Sequence, residues 1–165
     1  MHIPRIRGLL GLNDGELGLI LWAATLGLFL GMTLGGWIVE RYRSQFVTGL
    51  ATVFLGVATI LAVTSVTRLA LVLFLVPFGF FVGLLDVSMN SQAAAFEQRT
   101  GRSVMSSFHA LFSLGGLSGT LFGAALLAAR FTPLAHVLIG AIPFSIAGCF
   151  MHRGLIEEKQ TESPE

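Results

Sequence analysis

Charge is scarce in this sequence: Asp, Glu, Lys and Arg make up 12% of its 165 residues, against about a quarter in soluble domains. Lysine is nearly missing, with Arg outnumbering it nine to one, and the formal net charge is only +1. Without a basic face there is nothing to grip a phosphate backbone, so nucleic acid is excluded as a partner. A single cysteine, Cys149, sits in an apolar run. That excludes an internal disulfide framework and any multi-cysteine metal site; no metal or cofactor is expected, and Cys149 reads as a small packed side chain. A cleavable leader is not visible either. His2-Ile3-Pro4-Arg5-Ile6-Arg7 leads into polar Asn13-Asp14-Gly15-Glu16, not into an apolar core followed by a small-residue cleavage site. Insertion into a bilayer would rely on the first long apolar segment.

What is present is apolar surface. Hydrophobic residues make up 54% of the chain and the mean hydropathy is +0.81, more than a soluble core of this size absorbs. Hydrocarbon about 30 Å thick needs roughly 20 apolar residues to cross it as a helix. Five stretches qualify, over residues 17–39, 46–66, 69–96, 104–129 and 134–151. The expected fold is therefore an all-α, polytopic membrane bundle of five spans, with the lipid bilayer as its surroundings. Short polar breaks separate the spans, so neighbours run antiparallel. Residues 157–165, Glu-Glu-Lys-Gln-Thr-Glu-Ser-Pro-Glu, have no apolar periodicity. A division follows into a membrane domain over 1–152 and a disordered cytoplasmic tail over 153–165.

Positive charge concentrates on the cytoplasmic side of membrane helices. Arg41 and Arg43, Arg99 and Arg102, and Arg153 with Lys159 all fall on one face; Arg68 and Arg130 fall on the other, with Arg5 and Arg7 at the start. Setting aside the first pair, six against two places the C-terminus in the cytoplasm of a multi-pass protein of the cell membrane. Asn13 can cap the first span while Glu16, three residues on, bonds back to it. Residues 1–12 are then expected to form a preceding element outside that helix and not helical.

Gly27, Gly31 and Gly35 recur every four residues, as do Gly115, Gly119 and Gly123. Each set lines one flank of a helix, where a second backbone can come close. Both are expected to be packing seams. The third span holds Gly79, Gly83, Asp86 and Asn90 at spacings that share one helix face. A carboxylate inside a span costs about 2.5 kcal/mol or more, which makes Asp86 a functional candidate by default. Counting inward from Glu97 at about 1.5 Å per residue puts it about 16 Å deep, near the midplane. The bland alternative is a carboxyl satisfied by Asn90 or a neighbouring hydroxyl. In the next span His109, Ser113, Gly116 and Thr120 form a polar stripe, with Ser113 at the depth of Asp86. The two stripes are expected to face one cavity, although His109 has the competing role of a core histidine.

At the end of the first span, Gly36-Trp37-Ile38-Val39-Glu40-Arg41-Tyr42-Arg43 resembles the major facilitator superfamily. Its loop between helices two and three carries Gly-x-x-x-Asp-Arg-x-Gly followed by basic residues. Gly36 and Arg41 match and Glu40 replaces Asp. Arg43 stands in the second glycine's place, and Ser44 and Gln45 stand where the family is basic. Gly83-Leu84-Leu85-Asp86-Val87-Ser88-Met89-Asn90 and the run from Ser106 to Gly116 look like helices four and five of the fucose-permease-like branch. Residues 1–18 likewise resemble its link between helices one and two. The resemblance implies helices two to six of a transporter half, with helix one and helices seven to twelve outside the chain. It implies proton-coupled transport of a small, sugar-like solute. Asp86 would carry the proton, Asn90, His109 and Ser113 would line the cavity, and Gly36, Glu40 and Arg41 would form a cytoplasmic gate. A complementary half or self-association would complete the pathway.

Two other readings remain at this stage. The chain could be a non-transporting fragment or a partner-dependent subunit. It could also be an intramembrane serine protease, because Gly116-Leu117-Ser118-Gly119 fits Gly-x-Ser-Gly and a later helix carries His136 and His152. That reading needs a base within hydrogen-bond reach of Ser118.

Overall fold

In lipid a backbone amide finds no water, so each apolar stretch must close its own hydrogen bonds as helix. The computed structural model describes residues 3–151 and 154–156. Six helices run through them: α1 (Ile3–Leu10), α2 (Asp14–Tyr42), α3 (Ser44–Val63), α4 (Arg68–Thr100), α5 (Met105–Ala128) and α6 (Pro133–Met151). The last five are long and apolar enough to cross a bilayer, and each coincides with an expected span.

Capping extends the helices past the apolar stretches. At α2 the Asn13 side chain accepts the Glu16 N–H at 2.8 Å and the Glu16 carboxylate accepts the Asn13 N–H at 2.9 Å, the reciprocal pair expected. The segment before it corrects the expectation of a non-helical lead-in. α1 is a two-turn helix whose Ile6 and Leu10 pack against the cluster of Leu12, Ile20 and Leu71. Gly11 ends it at φ +59°, where the Leu12 N–H reaches back to the Arg7 carbonyl at 3.0 Å. Arg68, opening α4, donates to the Gly11 carbonyl at 3.0 Å and pairs with Glu16. The α1–α2 corner is thereby tied to α4.

The centre of the molecule is a seam between α2 and α4. A Cβ at Gly27 or Gly31 would overlap the backbone of Val76 or Phe80, and one at Gly79 or Gly83 would overlap Ala24 or Leu28. The two backbones touch, the geometry small residues permit. α3 lies against α4 through Val47, Ala51, Leu84 and Leu85 and the stacked rings of Phe54 and Phe81, 5.1 Å apart. α6 lies on α3, where a Cβ at Gly148 would meet Thr52 Cβ at 2.8 Å.

α5 stands apart. Gly123 is its one buried residue, and Gly115, Gly116 and Gly119 have nothing within reach of an added Cβ. Gly115 and Gly119 are therefore not part of a seam with the described helices, whereas Gly123 is covered. Its first turn is tied to α4, where the Glu97 carboxylate accepts the N–H groups of Val104 at 2.6 Å and Met105 at 2.9 Å.

Candidate functional site

Helical periodicity turns Asp86 about 60° around α4 from Gly83 and leaves Asn90 between the two. Gly79 and Gly83 are buried in the seam with α2, and Asp86 and Asn90, half-buried, continue along its flank. The opposite side of α4 carries Leu84, Leu85 and Ser88, all buried. Asp86 is thus placed by its neighbours: the glycines draw α2 close, the leucines anchor α3, and the carboxyl is left on the open flank. Among the described residues no hydrogen bond or ion pair engages the side chain of Asp86 or of Asn90. The two do not bond each other, and no hydroxyl satisfies the carboxyl.

His109 and Ser113 lie one turn apart on α5, both exposed. The Ser113 hydroxyl donates to the His109 carbonyl at 2.9 Å and the Thr120 hydroxyl to the Gly116 carbonyl at 2.8 Å. These hydroxyls are content within their own helix, a common arrangement for serine and threonine in apolar helices. At the turn between α4 and α5, Glu97 bonds Ser103, Val104 and Met105. The geometry therefore yields two polar pairs, Asp86 with Asn90 and His109 with Ser113, joined by no hydrogen bond among the described residues.

Gly36, Glu40 and Arg41 are exposed in the last turns of α2. Nothing lies within reach of a Cβ at Gly36, and no ion pair or hydrogen bond engages the Glu40 side chain among the described residues. A single residue, Arg43, links α2 to α3, with φ 65° and ψ 133°. That conformation is nearly reserved for glycine. Arg43 occupies the very place where the resemblance sets a glycine, and the geometry explains why a glycine belongs there.

Sequence reasoning missed Gln92. It is buried in α4 and bonded to Ser44 and to the backbone of Ile156. A lone amide among Ser91 and three alanines gives little signal, and a backbone partner gives none. Ser118 hydrogen-bonds to nothing among the described residues, so the protease reading has no base in reach there. His152 lies outside the described residues.

A family model for the Major Facilitator Superfamily matches residues 3–165. The chain belongs to the major facilitator superfamily. This facilitator chain is 36% identical to an uncharacterized MFS-type transporter of Yersinia pestis over 136 residues, covering 82% of the chain and 35% of the relative. It is 28% identical to an uncharacterized transporter of Sinorhizobium fredii over 143 residues, 86% of the chain and 37% of the relative. The membrane protein MosC of Rhizobium meliloti is 29% identical over 119 residues, 72% of the chain and 29% of that protein. The chain spans about a third of the length of these relatives. No solved structure matches it significantly. Membership makes it a multi-pass membrane protein of a transporter family rather than of an enzyme family.

Proposed function

We propose that the chain is the cavity-bearing part of a proton-coupled secondary transporter in the cell membrane. It resembles the fucose-permease-like branch and would act on a small, polar, sugar-like solute. The observation that carries this reading is Asp86: a half-buried carboxyl within an apolar span, with no partner among the described residues. Such a group is costly to keep. A proton and a solute hydroxyl are the partners that give it a use. Asn90, one turn along, offers both a donor and an acceptor to the same solute. His109 and Ser113 bring a second polar surface from α5, and Gly36, Glu40 and Arg41 form the cytoplasmic gate at the end of α2.

Coupling requires that the proton interact differently with two conformations. A neutral Asp86 can face lipid-depth surroundings that a charged one cannot, so proton release favours the conformation in which water reaches the flank of α4. Alternating access also needs two opposed repeats around the site, and five spans supply part of one. Transport is therefore assigned to the assembly in which further spans, on the same polypeptide or on another, complete the pathway beside the exposed face of α5.

The test is accumulation of solute against a gradient by that assembly, in cells or proteoliposomes. Asp86→Asn abolishes proton-driven accumulation while exchange of solute across the membrane continues, and His109→Ala shifts the pH dependence. Undiminished accumulation by Asp86→Asn would make Asp86 a structural carboxyl. For the chain alone in liposomes, no saturable flux is expected; flux without self-association would overturn the need for a partner.

A further inference from the structure

A carboxamide presents a donor beside an acceptor, the same pair that a residue of extended backbone presents. Gln92 uses it that way. Its Nε2 donates to the Ile156 carbonyl at 2.9 Å, and its Oε1 accepts the Ile156 N–H at 2.9 Å. The same Nε2 donates to the Ser44 hydroxyl at 2.6 Å. Gln92 is 6% exposed and Ser44 is fully buried, so the network is shielded from water and its loss would strand polar groups. Ser44 is the first residue of α3, directly after the Arg43 turn, and its carbonyl accepts the Thr48 hydroxyl at 2.7 Å. One buried amide thereby joins three stations of the chain: the start of α3, the last third of α4, and the segment after α6.

That third station gives α6 a second attachment. Its first is the contact of Gly148 with Thr52 and of Ser145 with Gly56 on α3. We propose that Gln92 is a clasp that holds the segment Gly154–Ile156 against the ends of α3 and α4, making α3, α4 and α6 one rigid body while α5 stays outside it. A displacement of the segment after α6 is then transmitted to the Arg43–Ser44 turn and so to the Glu40–Arg41 end of α2. The clasp is independent of what the protein transports.

The experiment uses the full chain in detergent micelles, where membrane sidedness plays no part. Cys149→Ala removes the one native thiol, and Leu155→Cys, half-buried in the parent, reports opening of the clasp through its rate of maleimide labelling. Loss of each net hydrogen bond between neutral groups multiplies a local opening equilibrium by a factor of about five. Gln92→Leu removes three such bonds and is expected to speed labelling at least about tenfold. Ile156→Pro removes the N–H donated to Gln92, besides fixing φ there, and is expected to speed it at least about fivefold, with α4 untouched if Gln92→Leu fails to fold. A cysteine at exposed Gly101 should label at the same rate in every background. Two results would overturn the clasp: labelling at Leu155→Cys unchanged by Ile156→Pro and by any folded Gln92→Leu, or parent labelling there as fast as at Gly101→Cys.

Discussion

At the residue scale, identical spacing leads to opposite environments. Gly31 and Gly115 each sit mid-stripe in a four-residue repeat, yet an added Cβ overlaps the Phe80 backbone at the first and meets nothing at the second. Gly31→Leu forces α2 off α4 and is expected to cost at least about 1–3 kcal/mol, the range for overpacked cores. Gly115→Ala leaves the melting temperature of the purified chain in detergent undiminished. A spacing says that a helix can accept a close neighbour; it does not say which neighbour arrives, so both stripes read as seams although only the first meets a backbone, at Gly27 and Gly31, while Gly115 and Gly119 meet nothing. The Asn13–Glu16 cap was fully legible because all its parts lie within four residues. Arg43 was legible as a departure from the family pattern, but its positive φ was not. Replacing it with the glycine that this conformation favours, Arg43→Gly, should raise stability by about 1 kcal/mol, read as a higher melting temperature with unchanged helix content.

At the element scale, the five spans were legible because each must satisfy its own backbone in lipid. α1 was not, since two turns of helix owe their existence to packing on Leu12, Ile20 and Leu71 rather than to length or pattern. The face of α4 carrying Asp86 and Asn90 followed from period alone, whereas its relation to His109 and Ser113 depends on where α5 lies. α5 is positioned mainly by Glu97, which fills the role of a cap on its first turn. Glu97→Ala is expected to loosen that turn, since the Val104 and Met105 N–H groups lose their acceptor. Amide hydrogen exchange should then speed up from Val104 to Phe108 while the interior of α4 keeps its protection; equal exchange in parent and variant would mean that α5 is held elsewhere.

At the scale of the whole molecule, orientation rests on six positive charges against two, once Arg5 and Arg7 are set aside. A cysteine at Gly101, in the α4–α5 turn, should resist an impermeant thiol reagent added outside intact cells and react once the cells are opened. Labelling from outside would invert the topology. The α2–α3 hairpin carries a consequence for the bilayer itself. With only Arg43 between Tyr42 and Ser44, the turn has no slack with which to lift away from the surface, so Arg41 and Arg43 are expected at the depth of the lipid headgroups. Each arginine near an anionic surface contributes about 1 kcal/mol. The composition of the leaflet on that side thus becomes part of the protein's stability: nanodiscs containing phosphatidylglycerol should raise the melting temperature over purely zwitterionic ones, and Arg41→Gln should remove part of that difference.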